Sequence, residues 1–419
     1  MTRPLILAAL LALTLPATAA ARPGDLDRGF GGGAAVLLGQ AGSQYAGSAL
    51  ALQSDGRVTV AGRDGRGFLV VRRRASGRPD RSFSGDGRLT IGFEGATRAG
   101  ARDVALFRDG RILVAGTITL GGVQRFAVAR LQPGGNLDPN FGVDGVAVVG
   151  PPGAQLEAMA LQPEGELVLA GSVPAGARRA VLVMRLFADG TPDPGFGRGG
   201  MVDSTGVRLA GRARDVLALP DGRIALAAAV ERGRAARATF LAARLTPTGA
   251  FDPTFDGDGV ARVATTTRRV RGGGAAGLAL DRRGRLILAG TARGGGGRDD
   301  ATVVRLTPEG LPDASFGRAG VRRLSDPHGR SLRIVALRRD ARGRLVLGGS
   351  AAGLGAAVLR LHGGGRRDRS FGAGGLSAGR LPRTTIAALA VRSDGGVVFT
   401  GSARIGGRDN LAVARLQGR

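Results

Sequence analysis

The stretch GNLDPNFGVDG, residues 135–145, places Asp138 three residues after a glycine and Phe141 three residues after that. The spacing Gly-x-x-Asp-x-x-Phe occurs at seven places. Its glycines are Gly24, Gly77, Gly135, Gly190, Gly249, Gly310 and Gly365, and its aspartates are Asp27, Asp80, Asp138, Asp193, Asp252, Asp313 and Asp368. Its phenylalanines are Phe30, Phe83, Phe141, Phe196, Phe255, Phe316 and Phe371, 53 to 61 residues apart. That period is longer than the roughly 40–50 residues of common propeller repeats. The last copy is followed by 48 residues, nearly one period, so seven repeats starting near 24, 77, 135, 190, 249, 310 and 365 fill the chain to its end.

Each repeat has the same inner order. After the Phe come glycines and a short alternating run such as Val146-Ala147-Val148-Val149, then a second run, Ala158-Met159-Ala160-Leu161-Gln162. A turn follows, then Leu167-Val168-Leu169-Ala170-Gly171, then a fourth run ending at Met184-Arg185-Leu186. Short, β-branched runs punctuated by glycine read as four strands and not as helices. Between the second and third runs stand Asp55-Gly56, Asp109-Gly110, Glu164-Gly165, Asp221-Gly222, Arg283-Gly284, Arg342-Gly343 and Asp394-Gly395, which suit two-residue hairpins. Repeat six is expected to lengthen its hairpin through Asp340-Ala341-Arg342, and repeat four departs from the common Ala-Gly with Leu226-Ala227-Ala228. Four antiparallel strands repeated seven times without a linker predict an all-β, seven-bladed β-propeller whose ring closes between the termini, since closure protects sheet edges. An open β-solenoid or two smaller propellers is the competing architecture.

Lines such as ALQPEGELVLAGS (160–172), FAVARLQPGGNLDPNFGVDGVAVV (126–149) and LAVARL (411–416) resemble the delta-60 repeat of exported bacterial proteins. The resemblance spans residues 22–419 and implies a propeller-like single domain. It brings no catalytic or ligand-binding residues to carry over.

An arginine keeps step with each aspartate, eight residues before it: Arg72, Arg130, Arg185, Arg244, Arg305 and Arg360. The seventh, Arg415, has no aspartate after it, but in a closed ring it would meet Asp27. The expected arrangement is one bidentate Arg–Asp pair per blade, with the Phe anchoring the turn in the apolar layer between blades. A ring of seven Asp binding cations is the functional alternative. It is disfavoured because a cation site needs several oxygen ligands converging on one ion.

The 419 residues include 75 Gly and 19 Pro, no Cys and no Lys, so all 60 basic residues are arginine and the net charge is +27. A GC-rich genome would explain Arg in place of Lys but not the shortage of acids. Such a surface attracts polyanions: acidic polysaccharide, anionic headgroups or nucleic acid. Without cysteine there are no disulfides or thiolate metal ligands. Residues 1–21 read as a secretory signal peptide: Arg3, an apolar run over 5–15, and small residues at Ala17-Thr18-Ala19 or Ala19-Ala20-Ala21. The run is shorter than the ~20 residues of a membrane span. The expectation is a secreted monomer, extracellular or of the periplasm and cell envelope, with no transmembrane segment.

Chemistry-bearing motifs are sparse. His362 occupies a turn position held elsewhere by Gln132, Thr246 and Thr307, and His328 lies in the loop SDPHGR. Gly375-Leu376-Ser377-Ala378-Gly379 mimics a nucleophile elbow but falls on a strand without a following helix. GGGGR, 294–298, lacks the Lys and Ser/Thr of a phosphate loop. The irregular loops at 265–274, 294–300 and 325–330 cluster in repeats five and six. The first reading is a non-enzymatic binding or scaffolding module for an anionic polymer or a surface protein, with no cofactor and no metal. The alternative is a hydrolase or lyase acting on sugars or lactones at one mouth of the channel, through Asp299, Asp300, Asp326 or His328.

Overall fold

The computed structural model describes residues 22–38, 46–65, 67–207, 209–230, 239–265, 273–294 and 297–418. The expected signal segment, 1–21, lies outside them, as do most of the loop at 265–274 and residues 295–296 of the next. The described chain forms seven four-stranded antiparallel sheets. Blade 1 is β2 (Ala46–Leu52), β3 (Val58–Arg63), β4 (Phe68–Arg73) and β5 (Arg88–Ile91); blade 2 is β6 (Ala96–Leu106), β7 (Ile112–Leu120), β8 (Val123–Leu131) and β9 (Val146–Val149). Blade 3 is β10 (Gln155–Leu161), β11 (Leu167–Ala175), β12 (Arg178–Leu186) and β13 (Met201–Asp203); blade 4 is β14 (Gly211–Ala218), β15 (Ile224–Val230), β16 (Thr239–Leu245) and β17 (Val260–Ala264). Blade 5 is β18 (Gly273–Leu280), β19 (Leu286–Arg293), β20 (Asp299–Leu306) and β21 (Val321–Leu324); blade 6 is β22 (Leu332–Arg339), β23 (Leu345–Ala351), β24 (Gly355–Leu361) and β25 (Leu376–Ala378).

Blade 7 is composite. Its first three strands, β26 (Ala388–Val391), β27 (Val397–Ile405) and β28 (Arg408–Leu416), come from the C-terminal end. The fourth, β1 (Val36–Leu37), comes from the N-terminal end and pairs Val36 with Val413 and Leu37 with Ala412. The ring therefore closes between the termini. A sequence repeat is not a blade: the motif lies between the third and fourth strands, so each repeat begins with the outer strand of one blade and continues into the next.

Seven hydrophobic clusters fill the seven interfaces between neighbouring blades. One joins Phe83 and Val114 across blades 1 and 2, and another joins Val60 and Val413 across the closure. No helix among the described residues is long and apolar enough to cross a membrane.

The hairpins between first and second strands differ from the expected two-residue form. In blade 1 Gly56 N–H donates to Gln53 O (3.0 Å) while Gln53 N–H donates to Arg57 O (2.9 Å), leaving three residues in the loop. This is a tight turn followed by a left-handed glycine, the three-residue solution that twisted strands favour. The middle acid closes it, since Asp55 Oδ1 accepts Arg57 N–H at 2.9 Å. Repeat six has no extra residue: Gly343 N–H meets Asp340 O and Asp340 N–H meets Arg344 O, each at 2.9 Å, the same pattern shifted onto Asp340.

Candidate functional site

The recurring motif sits at the blade junctions. In blade 2, Arg130 Nε donates to Asp138 Oδ2 at 2.7 Å, and both groups are buried. The corresponding distances are 2.7 Å for Arg72–Asp80, 2.6 Å for Arg185–Asp193, 2.7 Å for Arg244–Asp252 and 2.8 Å for both Arg305–Asp313 and Arg360–Asp368. Arg415 Nε lies 2.5 Å from Asp27 Oδ2, across the termini. Each contact uses one guanidinium nitrogen and is not bidentate. The terminal Nη1 turns instead to a carbonyl of the next blade: Arg72 to Pro133 (2.5 Å), Arg130 to Ala188, Arg185 to Pro247 (2.6 Å), Arg360 to Gly418 (2.9 Å) and Arg415 to Ala75 (2.6 Å). With Arg244 on Pro308 and Arg305 on Gly363 the relay runs round the whole ring.

Each guanidinium also lies over its motif Phe, 4.4–5.1 Å from the ring centroid, a cation–π stack that spacing alone did not reveal. The motif glycine completes the junction. Gly135 has φ +100, and a Cβ there would stand 3.0 Å from the Phe83 ring of the preceding blade; at Gly190 (φ +91) it would be 2.9 Å from Phe141. Only glycine allows both that backbone and that approach.

Five of these aspartates also face a second arginine that the sequence reading missed, placed directly after the hairpin glycine. The distances are 3.4 Å for Arg57–Asp80, 3.8 Å for Arg111–Asp138, 3.3 Å for Arg223–Asp252, 3.0 Å for Arg285–Asp313 and 3.4 Å for Arg344–Asp368. The signal was present as Gly-Arg after five of seven hairpins. Burial opposes the charged form of Asp252, but hydrogen bonds from the Thr254 side chain and backbone, together with Arg244, outweigh it and lower its pKa to about 2. Asp313 is lowered to about 2 in the same way by Ser315 and Arg305.

The open chemistry lies elsewhere, in the channel. The first strand of each of blades 1 to 6 has a register break at one common place, for example between Leu156 and Ala158. A β-bulge re-aims its extra residue. Here that residue turns to the axis, giving with Ala387 of blade 7 a ring of Ser48, Arg102, Glu157, Arg214, Ala276 and Val335. All seven line two chambers, one of about 810 Å³ and one of about 90 Å³, so the ring is a waist between them. The large chamber is also lined by Thr291, Arg293, Asp299 and Arg333, at the end of the blades where second strands finish and third strands start. Arg102, Arg214, Arg293 and Arg333 are exposed, whereas Glu157 and Asp299 are half-buried. Arg214 Nη1 stands 3.7 Å from Glu157 Oε2.

Below the waist, Asp103 and Asp215 face the channel with Arg338. Asp103 Oδ2 accepts Met159 N–H and Asp215 Oδ2 accepts Leu278 N–H, each at 2.8 Å, tying neighbouring first strands together. Burial pushes the Asp103 carboxyl up to about 6 despite the backbone N–H groups of Met159 and Val104. Asp215 is also raised, again by burial.

Of the four residues singled out for catalysis, Asp299 lines the large chamber. Asp300 is buried against Arg323 at 3.0 Å, and Asp326 is buried against Arg330 at 2.6 Å. His328 is exposed, and its backbone N–H donates to Asp326 at 2.8 Å. Ser377 lies in β25, buried, with its hydroxyl donating to Gly24 O at 2.6 Å.

Three stretches, residues 108–141, 162–196 and 284–316, match a family described as "Domain of unknown function (DUF5122) beta-propeller". Each stretch starts at or beside a first hairpin and ends on a motif Phe, so the family unit covers the later part of the repeat read from the sequence. Among solved structures the chain is similar to the selenomethionine form of virginiamycin B lyase from Staphylococcus aureus, with 11% identity, TM-score 0.52, and coverage of 91% of this chain and 98% of that one. A catalytically inactive variant of that lyase with quinupristin gives the same identity and TM-score, covering 91% and 99%. The PQQ-bound aldose sugar dehydrogenase from Streptomyces coelicolor has 14% identity and TM-score 0.42, covering 92% and 98%. At 11% identity the likeness to the lyase concerns the fold alone. No curated protein matches the chain in sequence.

Proposed function

We propose that the protein is an exported, non-enzymatic propeller of delta-60 repeats that binds an anionic ligand at the large chamber of its channel. The observation that carries the reading is the gathering of Arg102, Arg214, Arg293 and Arg333 around one cavity of about 810 Å³. Most other arginines that repeat around the ring are absorbed by the blade junctions, whereas these four are exposed in a concave site. Guanidinium groups bind carboxylate, sulfate and phosphate through paired N–H donors. The overall charge of +27 would add long-range attraction to the same class of ligand.

The test is retention on an anionic polysaccharide matrix near physiological ionic strength, about 0.15 M, where the screening length is about 8 Å. The expected result is retention of the wild type and earlier elution of an Arg102→Ala/Arg214→Ala double variant. Identical elution of the two would assign retention to diffuse surface charge and remove the chamber from the reading. Depolymerisation of the matrix would overturn its non-enzymatic half.

A further inference from the structure

We infer that the ligand of the large chamber is a short acidic saccharide, a uronate oligomer or the end of a uronate chain, and not a polyphosphate or a nucleic acid. This rests on the reading of the chamber as an anion site and names the ligand within it. The argument comes from the pairing of donors and acceptors. Arg102, Arg214 and Arg333 supply donors for acid groups, but Glu157 and Asp299 stand among them. An ionised carboxylate only accepts hydrogen bonds. Asp299 receives no donor to its side chain among the described residues, and Glu157 has the single, distant Arg214 at 3.7 Å.

Both carboxylates therefore have acceptor capacity to offer a ligand. Phosphate chains have no donors to give them and would be repelled. A uronate has hydroxyl groups beside each carboxylate, which matches acceptors set between guanidinium groups. No aromatic ring is among the described lining residues, so they offer none of the stacking platforms that single-stranded nucleic acids use.

Size narrows the class further. A volume of about 810 Å³ falls in the roughly 300–1,000 Å³ range of sites that enclose small molecules. Past the waist the lined space is about 90 Å³, much smaller than the chamber itself. The chamber thus has room for a chain end or a short oligomer.

The experiment is calorimetric titration of the full chain with trigalacturonate, tripolyphosphate and neutral maltotriose. Trigalacturonate is expected to bind and maltotriose to fail. Glu157→Gln and Asp299→Asn should each weaken trigalacturonate on the order of tenfold, the loss of a hydrogen bond to a charged group, while leaving tripolyphosphate unchanged or tighter. Arg214→Ala should weaken both anions. Binding of tripolyphosphate at least as tight as that of trigalacturonate, or tightening of both anions in Glu157→Gln, overturns the saccharide assignment and leaves the anion site standing. Failure of both anions overturns the two together, and maltotriose binding as well as trigalacturonate removes the need for the acid groups. Should Glu157→Gln fail to fold, Asp299→Asn at the start of β20 carries the same comparison.

Discussion

At the scale of single residues, Arg130 does four things with one side chain: it meets Asp138 through Nε, donates to Asn140 O through Nη2, stacks on Phe141, and reaches the Ala188 carbonyl of the next blade. Removing one partner of a buried ion pair leaves the other charge uncompensated, a loss of about 3–5 kcal/mol. Arg130→Ala should therefore lower unfolding stability by about that amount in a urea titration. Arg223, whose side chain is 34% exposed, is the second arginine facing Asp252, and Arg223→Ala should cost no more than about 1 kcal/mol. Equal losses in the two variants would show that the inner arginines are no more important than the outer ones.

At the scale of elements, β1 is decisive although it has only two residues. It covers the outer edge of β28, which would otherwise be open for pairing with another chain. Asp27 and Leu26 support it from the same segment, through Arg415 and through a bridge to Leu416. Because the chain has no cysteine, a Leu37→Cys/Ala412→Cys double variant can form one disulfide only, between directly opposed residues. Oxidation should raise the thermal midpoint relative to the reduced form, with an upper limit on the order of 5 kcal/mol for so long a loop. A midpoint unchanged by oxidation, with the bond confirmed by mass, would mean that the ring opens at another interface before the closure fails.

At the scale of the whole molecule, two sets of carboxylates pull stability in opposite directions with pH. Asp252 and Asp313 have native pKa values lowered to about 2, so their contribution is present above the unfolded value of about 3.9 and is lost as pH falls toward 2. Asp103 has a native value raised to about 6, so the folded state holds its proton more tightly, and stability falls as pH rises from about 4 through 6. Asp215, raised as well, adds to the second trend, with Arg338 opposing it in both cases. Thermal midpoints measured across this range should show a decline between about pH 4 and 6 that is shallower in Asp103→Asn. An identical slope in that variant would remove Asp103 as its source.

The repeat, the four-strand order and the Arg–Asp–Phe spacing were determined by the sequence alone, because a junction repeated seven times leaves seven copies of its chemistry at constant intervals. Even the pairing of Arg415 with Asp27 followed from counting, since a ring has no unpaired end. Tertiary structure decided what occurs once. Which side chain of a first strand faces the axis depends on where a bulge shifts the two-residue alternation, and nothing in the local composition around Arg102, Glu157 or Arg214 marks that shift. The chamber is assembled from positions of different blades, with Arg102, Glu157 and Arg214 each about one repeat apart in sequence, so only closure of the ring turns scattered arginines and carboxylates into a site.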